Sequence, residues 1–116
     1  MKSNQKKQDW YLAESLACEY LQNQWYMIIE RNYTIRWWEL DIIVKKWNLL
    51  TFIEVKLVNH ILDIHDYITP TKLKHLYKTI EFYLREHKND GDTQLDVVFV
   101  RYGEVIQHIK NVTGWR

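Results

Sequence analysis

Asp41, Glu54 and Lys56 are the residues whose types and spacing suggest chemistry, in the stretch WELDIIVKKWNLLTFIEVK from Trp38 to Lys56. Leu40–Lys45 and Leu49–Leu57 read as β-strands, with Lys46-Trp47-Asn48 breaking the run between them. On the second strand Glu54 and Lys56 leave the same face, while Ile53 and Val55 point the other way. A turn centred on Trp47-Asn48 sets Asp41 opposite Glu54, with Cβ atoms roughly 4.5–5.5 Å apart. Like charges so placed repel. A divalent cation would turn that repulsion into attraction, because hard cations want converging carboxylate oxygens. Lys56 lies one pleat away, where an ammonium can orient water or offset charge on a phosphate. An acid, a gap and Glu-x-Lys is the PD-(D/E)xK nuclease pattern. Glu-x-Lys alone is a weak signal, since any solvated strand face can carry it.

The elements that must position these residues fit in one domain of 116 residues, with residues 1–8 expected as a flexible tail. Apolar content of 47% with 27% charged residues is that of an ordinary globular chain. There is no apolar run of membrane-spanning length, and MKSNQKKQ is too polar for a signal peptide. One cysteine, Cys18, excludes an intramolecular disulfide and a Cys-based zinc site. These features fit the cytoplasm. A net charge of +1 gives no electrostatic case for nucleic acid by itself. Lys2, Lys6 and Lys7 read as solvated surface, and Lys72, Lys74, His75 and Lys78 form a second basic group.

The apolar spacing of Ala13, Leu16, Ala17, Tyr20 and Leu21 predicts a helix from about Asp9 to Gln22, with Asp9 as N-cap. Glu14 borders that stripe. Periodicity favours an exposed helix acid there, and the alternative is a carboxylate aimed over the sheet. Glu19 reads as solvent-facing and Cys18 as a buried, inert thiol. Tyr26–Ile29 reads as a first strand continuing toward Tyr33. Val58–Ile68 carries His60, Asp63, His65 and Asp66, but their spacing matches no zinc signature, and the segment reads as a loop. Thr69-Pro70 opens a second helix, with an apolar stripe of Leu73, Leu76, Tyr77, Ile80, Tyr83 and Leu84. Lys72 opposes the helix dipole in its first turn, a placement that suits a phosphate docking there. Leu95–Val100 reads as a strand buried on both faces at the centre of the sheet, and Glu104–Ile109 as a more exposed last strand. The order α-β-β-β-α-β-β predicts an α/β domain, a mixed central sheet flanked by helices.

This order and its motifs resemble the YraN-like family of predicted endonucleases, relatives of archaeal Holliday junction resolvases with the restriction-endonuclease-like fold. The resemblance covers about residues 9–112. Ala13-Glu14 with Leu16-Ala17 and Tyr20-Leu21 is similar to the family's first helix, and Glu30-Arg31-Asn32-Tyr33 to its RN motif. Glu39-Leu40-Asp41-Ile42-Ile43 resembles GEIDLI, Phe52-Ile53-Glu54-Val55-Lys56 resembles FVEVK, Lys72 the lysine opening the second helix, and Asp96-Val97-Val98 FDVV. The resemblance implies Asp41, Glu54 and the Val55 carbonyl as ligands of Mg²⁺ or Mn²⁺, with Glu14 as an additional ligand. Lys56 would position the attacking water or stabilise the transition state, and Lys72 would contact phosphate. Lys74 and Lys78 are counted with it as nucleic-acid contacts. Glu39 is a motif residue without an assigned role. The implied activity is Mg²⁺-dependent hydrolysis of DNA phosphodiester bonds, with branched or damaged DNA among the substrates. Analogy with the resolvases extends to a homodimer.

The departures from the family all concern glycine. Trp10, Trp25, Trp37, Trp38 and Trp47 fall where the family has glycines, in a chain with only three. Trp47 would need φ > 0 at the first position of a type II′ hairpin. These coincidences suggest glycines in the natural protein, encoded by UGA in an organism that reads UGA as glycine. Real tryptophans beside the site would instead favour a non-catalytic nucleic-acid-binding module on a nuclease fold. Trp37-Trp38 would then be a candidate stacking platform.

Overall fold

The computed structural model describes residues 2–36, 38–59 and 66–113. Trp37 and the loop residues His60, Asp63 and His65 lie outside them, as do the side chains of Lys2, Lys6 and Lys7. Helix α1 (Lys2–Asn23) precedes strands β1 (Met27–Ile35), β2 (Trp38–Lys46) and β3 (Leu49–Leu57). Helix α2 (Pro70–Glu86) then leads to β4 (Thr93–Arg101) and β5 (Glu104–Ile109). The strands form one sheet in sequence order, with β3 and β4 parallel and every other neighbouring pair antiparallel. This is the mixed α/β architecture expected from the sequence. Helix α2 makes the crossover that a parallel β3–β4 pair requires.

Helix α1 starts at Lys2, so Asp9 lies inside it and does not cap it. The residues before Asp9 include no glycine or proline, and Lys and Gln are good helix formers. Trp10 also has a side chain where a glycine would favour a break. At α2 the expectation holds: the Thr69 hydroxyl accepts the Lys72 backbone N–H at 3.2 Å, with Pro70 in the first turn.

Each helix covers one face of the sheet. Ala13, Ala17, Cys18 and Leu21 of α1 pack with Ile42, Val44, Ile53, Val55, Val98 and Val100. Leu76, Ile80 and Tyr83 of α2 pack with Ile43, Phe52, Leu95, Val97 and Phe99, and Leu73 and Leu84 join them partly buried. β4 is buried on both faces but is fourth of the five strands, so the centre belongs to β3. Only β5 lies beyond β4, whereas β1 and β2 both lie beyond β3. Cys18 is buried and unpaired, and burial raises its thiol pKa.

The hairpin register is the expected one, running from Ile42 opposite Ile53 to Lys46 opposite Leu49. Trp47 takes a left-handed φ of +53°, and Trp25 one of +72°. Both are almost fully exposed, at 86% and 85%. Trp10 and Trp38 have no such backbone demand, since one is helical and the other lies in β2.

Candidate active site

The site begins where the β2–β3 ladder stops. Its last paired residues are Ile42 and Ile53, and one step further lie Asp41 and Glu54. There the Asp41 side chain takes over from the backbone, its Oδ2 accepting the Val55 N–H at 2.8 Å. N–H and C=O of one strand residue point the same way, so the Val55 carbonyl also faces the Asp41 side. Alternation along β3 puts Glu54 and Lys56 on the α2 face, with Phe52.

Burial dominates the electrostatics. It holds the Asp41 carboxyl well above its ordinary value, Glu54 adds to that, and the Val55 N–H opposes it. Burial also raises Glu54, against the pull of Lys72 and then Lys56. Glu54 is only 3% exposed, and its Oε1 has no hydrogen-bond partner among the described residues. Its Oε2 lies 3.6 Å from Lys72 Nζ. Lys72 therefore already has an anion in its own chain, which accounts for a cation in the first turn of α2. Lys56 is pushed down to about 8, first by burial and then by the neighbouring Lys72.

Glu14 comes from the other helix and is buried, at 6% exposure, which overturns the periodicity reading of a solvated acid. The small Ala13 and Ala17 let α1 sit close to the sheet, so a carboxylate at its border reaches the site. Burial raises its pKa, and Glu39 adds to the effect. Glu14, Glu39 and Asp41 each offer an oxygen within 4.8 Å of the others. Glu54 is not in that trio. Arg31 Nη2 lies 3.6 Å from Glu14 Oε1 and 3.3 Å from the Ser15 hydroxyl.

These side chains open into a groove of about 900 Å³. Glu14, Asn32, Glu39, Asp41, Glu54 and Lys56 line it, with Thr69, Lys72, His75 and Thr79 from the α2 side and Trp10, Tyr11 and Trp38 at its aromatic wall. The Trp38 and His75 rings stack 3.6 Å apart.

A model of the uncharacterised protein family UPF0102 matches residues 13–100. The chain belongs to that family. It is 42% identical over 101 residues to a UPF0102 protein of Helicobacter hepaticus, covering 87% of this chain and 90% of that one. It is 38% identical over 101 residues to one of Campylobacter lari, covering 87% and 89%. A UPF0102 protein of Campylobacter jejuni is 35% identical over 105 residues, covering 90% and 93%. The matched UPF0102 span includes every groove carboxylate, Lys56 and Lys72. No described helix is long and apolar enough to cross a membrane.

The structure thus gathers Asp41, Glu54, Lys56, Glu14, Glu39 and Lys72 around one groove of this UPF0102 chain, while Val55 does not line it and reaches the site through its backbone N–H on Asp41. Lys74 and Lys78 are exposed on α2 and do not line it. Sequence reasoning gave no role to Arg31 or Asn32, although both lie in the Glu30–Tyr33 motif. It named Asp96 within the Asp96-Val97-Val98 motif but gave it no role. That carboxylate is buried and accepts from Gln94 Nε2 and the Asn111 N–H, each at 2.9 Å. Its Oδ2 lies 2.8 Å from His108 Nε2, while His108 Nδ1 meets the Tyr20 hydroxyl at 2.9 Å. Asp96 shares the α1 face with Val98, away from the groove, so it ties α1 to β4 and β5. A charged residue inside an almost continuous apolar strand was the available signal.

Proposed function

We propose that this chain is a metal-dependent endonuclease of the PD-(D/E)xK type that hydrolyses DNA, with branched or damaged DNA among its substrates. One observation carries the reading: half-buried Asp41 and buried Glu54, both held above their ordinary carboxylate values, meet Lys56 where the β2–β3 ladder opens. Stability alone would not select such a pair. The residues fit a hard divalent cation, because the donors are all oxygens and buried Glu54 Oε1 has no partner among the described residues. Asp41, Glu54 and the Val55 carbonyl would hold Mg²⁺ or Mn²⁺, with Glu14 as a further ligand. Such an ion, when bound, polarises a phosphate and lowers the pKa of water.

The chain's own residues do the rest. Lys56 sets a cation where negative charge develops, and its pKa of about 8 lets it hold or release a proton near neutrality. Lys72 compensates Glu54 and meets the DNA backbone at the groove, and Lys74 and Lys78 extend that contact along α2. By analogy with the resolvases, two copies would act together on a symmetric junction.

Cleavage of linear duplex, single-stranded and four-way-junction DNA, with Mg²⁺ or with EDTA, tests the reading. Cutting should need the cation and vanish in Asp41→Asn and Glu54→Gln. Cutting that persists in EDTA or in either variant refutes it. The second reading, a nucleic-acid-binding module that does not cut, is favoured by Trp10 and Trp38 both lining the groove. Cation-independent DNA binding without cleavage would select it.

A further inference from the structure

Asn32 has a backbone and a side chain that the nuclease reading leaves unexplained. Strand β1 carries a bulge between Ile28 and Glu30, and Asn32 follows with a left-handed φ of +55°. Asn is among the few L-residues that accept this conformation readily, and bulged strands re-aim side chains beside active sites. The kink delivers the Asn32 amide into the groove. With its nitrogen facing the acids, the amide donates to Glu14 Oε1 at 3.0 Å and to Glu39 Oε1 at 2.6 Å, and Glu14 Oε2 lies 3.2 Å away.

An amide turned through 180° puts its oxygen where its nitrogen was. The same three distances then separate oxygens. Octahedral Mg²⁺, with bonds of roughly 2.0–2.1 Å, sets neighbouring ligand oxygens about 2.9 Å apart. The three Asn32 contacts, at 2.6, 3.0 and 3.2 Å, bracket that spacing, and Glu14, Glu39 and Asp41 each offer an oxygen within 4.8 Å of the others. Buried Glu54 Oε1, without a partner among the described residues, is an independent sign that this groove takes a cation.

We propose that Asn32 assembles the carboxylates of this site, bridging Glu14 and Glu39 through its NH₂ in the cation-free protein and turning its oxygen to Mg²⁺ when the ion binds. The inference rests on the metal-dependent reading above and adds Asn32 and Glu39 to the groups that set cation affinity. Without the bridge, Glu14 on α1 and Glu39 on β2 repel, and the ligand set must be gathered by the ion itself.

Titration calorimetry with Mg²⁺ alone, on the full chain without DNA, tests this. Asn32→Gly keeps the left-handed backbone and deletes the amide, and it should bind Mg²⁺ about tenfold more weakly or worse. Asn32→Asp keeps the shape and offers a stronger oxygen ligand, so it should bind at least as tightly as the parent. That order, Asp above Gly, is one that a purely structural Asn would not produce, since Gly suits the backbone better. Parental affinity in Asn32→Gly, or an Asp variant as weak as the Gly variant, overturns the proposal while leaving the nuclease reading intact. A parent that binds no Mg²⁺ overturns both. Should cation-free circular dichroism show Asn32→Gly unfolded, Glu39→Ala removes the other end of the bridge at an exposed position. It must then show the same loss, and parental affinity there overturns the proposal.

Discussion

Replacing Lys56 by Met should make the cation-free protein more stable while removing any cleavage. The folded protein lowers the Lys56 pKa from 10.5 to about 8. That shift already contains the attraction of Glu54 and Asp41, which is outweighed by burial and by Lys72. Each tenfold fall in proton affinity corresponds to about 1.4 kcal/mol, so the charge costs about 3 kcal/mol in the fold. Partial solvation of the ammonium reduces this, and a gain of about 1–3 kcal/mol is expected from an uncharged chain of similar length. The sign fixes the pH window. Below about 8 both folded and unfolded chains carry the proton, and the penalty is complete. Between about 8 and 10.5 the folded state has lost it first, so parental stability rises and the advantage of Lys56→Met shrinks. Urea denaturation in EDTA at pH 7 and pH 10 measures both values. A variant less stable than the parent at pH 7, or an advantage unchanged at pH 10, would refute the reasoning.

Asp41, Glu54 and Glu14 are all held above their ordinary carboxylate values, so the folded protein keeps protons that the unfolded chain has released. Cation-free stability should therefore fall as pH rises above the ordinary 3.8 of Asp and 4.5 of Glu, and Asp41→Asn should be no less stable than the parent at pH 7; denaturation in EDTA across that range checks both. Trp25→Gly and Trp47→Gly should each raise stability by about 0.5–1 kcal/mol, because left-handed strain of about 1–2 kcal/mol outweighs the entropy of a glycine. Trp10→Gly, within α1, should instead lose about 0.5 kcal/mol, and thermal melts that fail to separate the two classes would count against glycine at those turns. His108→Ala should cost about 1–3 kcal/mol by removing the Oδ2 partner of buried Asp96, and Leu76→Ala about 2–5 kcal/mol; denaturant midpoints decide both.

The fold was legible because each element advertises itself locally. The alternation of β3, the Thr69-Pro70 start of α2 and the apolar run of β4 leave few other arrangements. The start of α1 was not legible, because a polar stretch rich in Lys and Gln suits a helix and a tail equally well. Asp41 and Glu54 could be found from spacing, since register across a two-residue turn is nearly rigid. Glu14 could not, because its burial depends on how closely Ala13 and Ala17 let α1 approach the sheet. Asn32 was hidden for a different reason. Its role follows from a bulge and a left-handed φ, and neither leaves a periodic trace in the sequence.

The groove also shows where this small domain concentrates its instability. Four carboxylates and two lysines share it, and Asp41 and Glu54 have little beyond the two lysines and the Val55 N–H to compensate them. Elsewhere the same chain satisfies a buried acid fully, since Asp96 meets Gln94, His108 and Asn111. The contrast lies within one sheet, so it does not reflect a general tolerance of buried charge. A fold able to pair Asp96 so completely leaves Glu54 Oε1 without a partner among the described residues, directly beside Asp41. On the metal-dependent reading proposed above, that compensation would come from a ligand. A divalent cation is the ligand that two adjacent carboxylates, a strand carbonyl and a nearby lysine would serve.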